Sequence, residues 1–131
     1  MTEFSWPVRV YYEDTDAGGV VFYANYLKFF ERARTEMLRN LGFEQDRLRD
    51  EQGILFVVRS IAVDYLKPAR FNELIAVSAK VSDYKKTSLV FEQTIFRQQD
   101  VLCSATVRIA CLDAQTMKPK PIPNLIFQQL S

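Results

Sequence analysis

Seven apolar side chains set the constraint that any fold of this chain must meet. Tyr26, Phe29, Phe30, Ala33, Met37, Leu38 and Leu41 recur at i, i+3, i+4, i+7, i+11, i+12 and i+15. That period puts all seven on one wide stripe of a helix. Lys28, Glu31, Arg32, Arg34, Glu36 and Arg39 take the other face. The stripe predicts a helix over about 24–41. Gly42 stands where a left-handed C-terminal cap belongs, with Phe43 able to fold back on the last turn. A face this apolar has to be buried, and the remaining chain must supply the surface that buries it.

That surface reads as a sheet. Val8, Val10 and Tyr12 alternate with Arg9, Tyr11 and Glu13, the period of a strand. Ile54 to Leu66 is β-branched and aromatic, and Lys67-Pro68 ends it. Ile75, Val77, Ala79 and Val81 alternate with polar positions, as do Leu89, Phe91, Gln93 and Ile95. Cys103, Ala105, Val107, Ile109 and Cys111 form one face of a last strand. Residues 83–86 and 97–100 read as tight antiparallel connections. A short helix is expected over 44–51, ending at Gly53, and another from Asn124. One strand, one long helix and four more strands make an α+β layout. A five-stranded antiparallel sheet wrapped around one long central helix uses every element, as one domain over 1–131. Its open edges call for cover, and edge pairing into a dimer supplies it.

Composition removes several kinds of chemistry. The 131 residues include no histidine. Ser-His and Cys-His nucleophiles, histidine-based dehydration and histidine-ligated metals are therefore excluded. The formal net charge of +1 gives no basic excess for nucleic acid. No stretch approaches the ~20 apolar residues of a membrane span. The N-terminus lacks the basic region and apolar run of a signal peptide, so the chain reads as cytoplasmic. Cys103 and Cys111 lie eight residues apart on one strand, roughly 26 Å when extended, too far for a disulfide. Buried thiols are the plainer reading.

Between the first strand and the helix runs Asp14-Thr15-Asp16-Ala17-Gly18-Gly19-Val20-Val21-Phe22-Tyr23-Ala24-Asn25-Tyr26. A carboxylate, Asp16, precedes a helix N-terminus whose first N–H groups have no partner within the helix. Those groups and the helix dipole favour negative charge. A carboxylate beside such a site suffices for acyl transfer. On spacing alone, Asp16 reads more readily as a turn or cap residue than as a catalytic one. Gly18 and Gly19 read as a turn that also lets a substrate approach the backbone. Asp14 reads as a turn residue and Glu13 as a strand-end charge. Tyr26 belongs to the core or lines the site. Arg32 and Glu36 have the spacing of an i, i+4 pair. Arg32, Arg34 and Glu36 form a solvated face or an interface.

The segment from Tyr11 to Val21, with Asn25-Tyr26 and Phe30-Glu31-Arg32-Ala33-Arg34-Thr35-Glu36, closely resembles hotdog-fold acyl-CoA thioesterases of the 4-hydroxybenzoyl-CoA thioesterase superfamily. It looks most like their Tol-Pal-associated YbgC branch. Val57-Val58-Arg59, Pro68-Ala69-Arg70, Thr87 to Phe91 and Met117-Lys118-Pro119 extend the resemblance over nearly the whole chain. It implies the hotdog fold and a catalytic Asp16. It also implies an oxyanion contact from the Tyr23 backbone N–H, and active sites at a dimer interface. Many members of the branch carry histidine where this chain has Tyr23, but the implied contact is a backbone one.

The resemblance implies an acyl-CoA thioester hydrolase needing no cofactor and no metal, working as a homodimer or homotetramer. Asp16 is its nucleophile or its general base. A thioester suits so spare a site, since its thiolate leaves without needing a proton. Gly18, Gly19 and Tyr26 are substrate-site candidates. Arg70, Lys85 and Lys86 are candidates for the coenzyme A phosphates, although a lysine pair in a turn is ordinarily solvated. Acyl-carrier protein is an alternative carrier. The rival reading is a non-catalytic module that binds acyl-CoA or acyl-carrier protein in the Tol-Pal cell-envelope system.

Overall fold

A computed structural model describes residues 3–130. The apolar stripe forms helix α1, Asn25–Asn40, which buries Tyr26, Phe29, Phe30, Ala33, Met37 and Leu38. Full burial of a ring such as Phe29 or Phe30 contributes about 1.5–3 kcal/mol. Gly42 ends the helix with φ of 99°. Its N–H donates to the Arg39 carbonyl at 3.0 Å, and that of Phe43 to the Leu38 carbonyl at 2.8 Å. Those two bonds satisfy carbonyls the helix leaves open, and only a residue at ease with positive φ closes them.

The strands are β1 (Phe4–Arg9), β2 (Ile54–Tyr65), β3 (Leu74–Lys85), β4 (Ser88–Arg97) and β5 (Asp100–Asp113). They form one five-stranded sheet in the order β1-β3-β4-β5-β2. Every pairing is antiparallel. Tight hairpins close β3–β4 at Lys85 and Ser88, and β4–β5 at Arg97 and Asp100. The alternating apolar residues of β3, β4 and β5 are buried with the α1 stripe. Cys103 and Cys111 are free and buried, as expected. Helix α3, Asn124–Leu130, buries Ile126 and Leu130.

Strand β2 is an edge. One flank bonds to β5, and the other pairs with no strand among the described residues. Val58, in its middle, is 49% exposed.

Four local expectations are corrected. The first strand lies earlier than Val8–Tyr12, because Arg9 already faces Leu74, the first residue of β3. Beyond it no strand remains to pair with, and Tyr12–Asp14 form a 3-10 turn. The short helix is a single α-turn, Gln45–Arg47 (α2), followed by a π turn over Leu48–Gln52. Glu36 pairs with Arg39 rather than Arg32, and the Arg32 guanidinium lies 5.9 Å from the centre of the Phe29 ring. Arg34 is buried, not solvated. It stands four residues from both Phe30 and Leu38, at the margin of the stripe. Its Nη1 donates to Gln93 Oε1 at 3.0 Å, and Gln93 Nε2 donates to the Phe30 and Ser78 carbonyls.

Candidate active site

Asp16 opens a tight turn. Its N–H donates to the Val20 carbonyl at 2.9 Å, its carbonyl accepts from Gly19 N, and its Oδ1 accepts from Gly18 N at 2.9 Å. Gly19 adopts φ of 76°. A Cβ on Gly18 would stand 3.3 Å from Asp16 Oδ1, crowding the carboxylate. The two glycines therefore have separate causes, one a left-handed backbone and the other a close approach. Asp16 itself is exposed.

The turn caps a short ribbon. Thr15 bridges Val21, and Phe22 N donates to the Asp14 carbonyl at 2.9 Å. Asp14 is only 3% exposed. Its Oδ2 accepts from Tyr11 N and its Oδ1 from Asn25 Nδ2, both at 2.9 Å. One carboxylate thus ties the incoming chain to the first residue of α1. Asp14 is a turn residue, as its position suggests, and Glu13 lies in the same 3-10 turn rather than at a strand end.

The helix start leaves donors open. Asn25 N donates to the Phe22 carbonyl, and Leu27 N to that of Ala24. The N–H groups of Tyr23 and Ala24 meet no acceptor among the described residues. Tyr65, at the end of β2, donates its hydroxyl to the Tyr23 carbonyl at 3.0 Å. That carbonyl and the Ala24 N–H share one peptide, so the bond both orients and polarises the open donor. The rings of Tyr23 and Tyr26 pack on that of Tyr65 at 6.3 and 5.5 Å.

A second segment supports the ribbon. Val20 bridges Arg70, Val21 N donates to the Ala69 carbonyl, and Phe71 N to that of Gly19. Tyr26 is buried, and its hydroxyl accepts from Ala69 N at 3.0 Å. Arg97 binds the Pro68 carbonyl and Glu73, whose Oε1 also accepts from Arg70 N. Burial pushes the Tyr26 and Tyr65 phenols up, so both stay protonated near neutral pH. The Cys103 thiol is pushed up to about 12, by burial first and Asp64 second. At neutral pH it is a thiol, not a nucleophile. The described residues contain no cluster of three or more His, Cys, Asp or Glu placed to hold a metal.

Asp16, Gly18, Gly19, Tyr23, Tyr26 and Arg70 are therefore drawn to one end of the sheet. Lys85 and Lys86 are not. They lie at the far end of β3 from Leu74, roughly 36 Å away at ~3.3 Å per residue. Asn25 and Tyr65 join the site with no role foreseen from sequence. Asn25 stood within the motif, but its bond to Asp14 depends on how the loop folds. Tyr65 is 42 residues from Tyr23.

The model of the Thioesterase-like superfamily matches residues 10–130. The chain is 52% identical, over 92% of its length and 88% of the relative's, to an acyl-CoA thioesterase YbgC of Haemophilus influenzae. It is 48% identical, over 98% of its length and 96% of the relative's, to an acyl-CoA thioester hydrolase YbgC of Escherichia coli. A probable thioesterase from Bartonella henselae superposes with a TM-score of 0.89 at 34% identity, covering 93% of this chain and all of that one.

Proposed function

The chain belongs to the thioesterase-like superfamily, with its hotdog fold, and we propose that it hydrolyses acyl-CoA thioesters with Asp16 as the reacting carboxylate. The observation that carries this reading is the ribbon that ties Asp16 to the two open N–H groups of Tyr23 and Ala24. As the carbonyl carbon is attacked, charge builds on its oxygen, and those N–H groups stabilise it. Losing one such donor typically lowers turnover ~100-fold or more. Asp16 either attacks the carbonyl, expelling the coenzyme A thiolate and leaving a mixed anhydride that water cleaves, or takes a proton from the attacking water. Both routes give the free acid and coenzyme A.

The active unit is a dimer built on β2. A second copy paired antiparallel along its open flank completes the sheet. The same pairing reverses the partner's strands, bringing the partner's Lys85 and Lys86 toward the Asp16 end of this chain. Lysines that are remote within one chain then serve, with Arg70, the phosphates of coenzyme A. The cytoplasm, where acyl-CoA is made and used, is the proposed compartment. Acyl-carrier protein presents the same pantetheine arm and is the second carrier to assay.

The test is turnover of an acyl-CoA panel by wild type and Asp16→Asn. Removing the charge should lower kcat at least ~100-fold in a folded protein. Near-normal hydrolysis by Asp16→Asn would overturn the assignment. Binding without hydrolysis by the wild type would favour the non-catalytic module instead.

A further inference from the structure

Hydrolysis as described makes no use of Arg34. Asp14 and Arg34 are the buried charged side chains among the described residues. Both oxygens of Asp14 are occupied. Arg34 is different: Nη1 has Gln93, and its other N–H groups have no acceptor and no ion pair among the described residues. Yet no sealed side-chain nitrogen or oxygen there lacks a partner. The Nε and Nη2 of Arg34 are therefore not sealed within the core.

Arg34 lines a cavity of about 330 Å³ between α1 and the sheet, with Phe56, Val58, Leu89 and Phe91 as apolar walls and Glu31, Thr35 and Gln45 as its other polar residues. It falls in the size range of small-molecule sites. Mostly apolar walls with one forked cation describe a pocket for a carbon chain that carries an oxygen. Burial pulls the Arg34 pKa below its usual value and Glu31 opposes the pull; a guanidinium stays protonated in proteins.

We propose that this cavity receives the end of the acyl group remote from the thioester. Arg34 donates there to an acceptor oxygen, so the enzyme selects acyl-CoAs oxygenated at that end. This rests on the thioesterase reading and on β2 pairing. Antiparallel pairing sets the partner's Tyr65, with the partner's Tyr23 that it holds, beside the Ile54–Val58 half of this strand, where the cavity lies. A methyl-ended chain would strip water from the guanidinium and return no bond. A hydroxyl accepts from Arg34 and has Glu31 within the same cavity to donate to. A carboxylate gains two bonds from the fork but meets the charge of Glu31.

The experiment compares three acyl-CoAs of equal chain length ending in methyl, hydroxyl or carboxylate. It uses wild type, Arg34→Lys and Arg34→Met, with kcat, KM and calorimetric Kd for each. Wild type should favour at least one oxygenated chain over the methyl chain by ~tenfold or more in kcat/KM, carried mainly by KM. The ratio should shrink in Arg34→Lys and vanish in Arg34→Met. Because all three substrates report on the same folded fraction, partial unfolding of a variant leaves each ratio unmoved. If Arg34→Met does not fold, wild type and Arg34→Lys decide. A wild type that prefers the methyl chain or ignores the oxygen overturns the inference, as does a preference that survives Arg34→Met. If no acyl-CoA is hydrolysed, the thioesterase reading fails, and the same ratios read from Kd judge the Arg34 pocket by itself.

Discussion

At the scale of single residues, two carboxylates in one motif have opposite fates. Asp14 is buried with both oxygens bonded, while Asp16 is exposed at the tip of the ribbon. The Asp14–Asn25 bond holds the ribbon to the start of α1 together with the Asn25 N–H bond to the Phe22 carbonyl. Asn25→Ala removes the donor and leaves a buried oxygen unsatisfied, which should destabilise by about 1–3 kcal/mol. It should also lower kcat, because the N–H groups of Tyr23 and Ala24 lose their fixed relation to Asp16. Urea unfolding and turnover on one preparation check both. The thiols make a pH prediction. Cys103 moves from the usual 9.0 to about 12 on folding, and Cys111 to about 11. Their folded pKa values are raised, so the stability that depends on the protonated thiols is complete below pH 9. It is lost as pH climbs from there toward 12. Cys103→Ala should flatten that decline in denaturation curves taken from pH 8 to 11. An unchanged slope would remove the thiol as its cause.

Among the elements, α1 dominates. Its stripe is sealed by the sheet, and Met37 is only 4% exposed. Met37→Asp would bury a carboxylate with no partner, and a loss of several kcal/mol is expected. The measurement is the midpoint of thermal or urea unfolding, and a shift within error of wild type would contradict the burial of this face. The polar face is less uniform than its sequence suggests, since Arg34 turns inward to Gln93 while Arg32 lies over Phe29. A residue at the margin of a stripe faces inward when the opposing strand offers a polar partner, and Gln93 of β4 does so.

For the whole molecule, the open flank of β2 matters most. Twelve residues of strand with one unpaired side form a template for another strand. Light scattering should give at least twice the chain mass of 15.2 kDa. Val58→Lys should weaken the assembly, and turnover should fall with protein concentration as dimers separate. A monomer of wild-type activity at assay concentration would exclude a site shared between chains.

Features that depend on near neighbours along the chain were readable without the structure. The helical period of Tyr26 to Leu41, the glycine cap at Gly42 and the alternation in β3, β4 and β5 were all legible, because each is a relation over a few residues. So was the glycine turn at Gly18-Gly19 between Asp16 and the helix, whose turn chemistry is local and whose family likeness is strong. Tertiary structure alone decided where β1 ends, since that depends on the first residue of β3 across the sheet. It alone decided that Arg34 is buried against Gln93 and that Tyr65 holds the Tyr23 carbonyl. Those facts are pairings between residues distant along the chain, and no periodicity encodes which strand, or which side chain, will stand opposite.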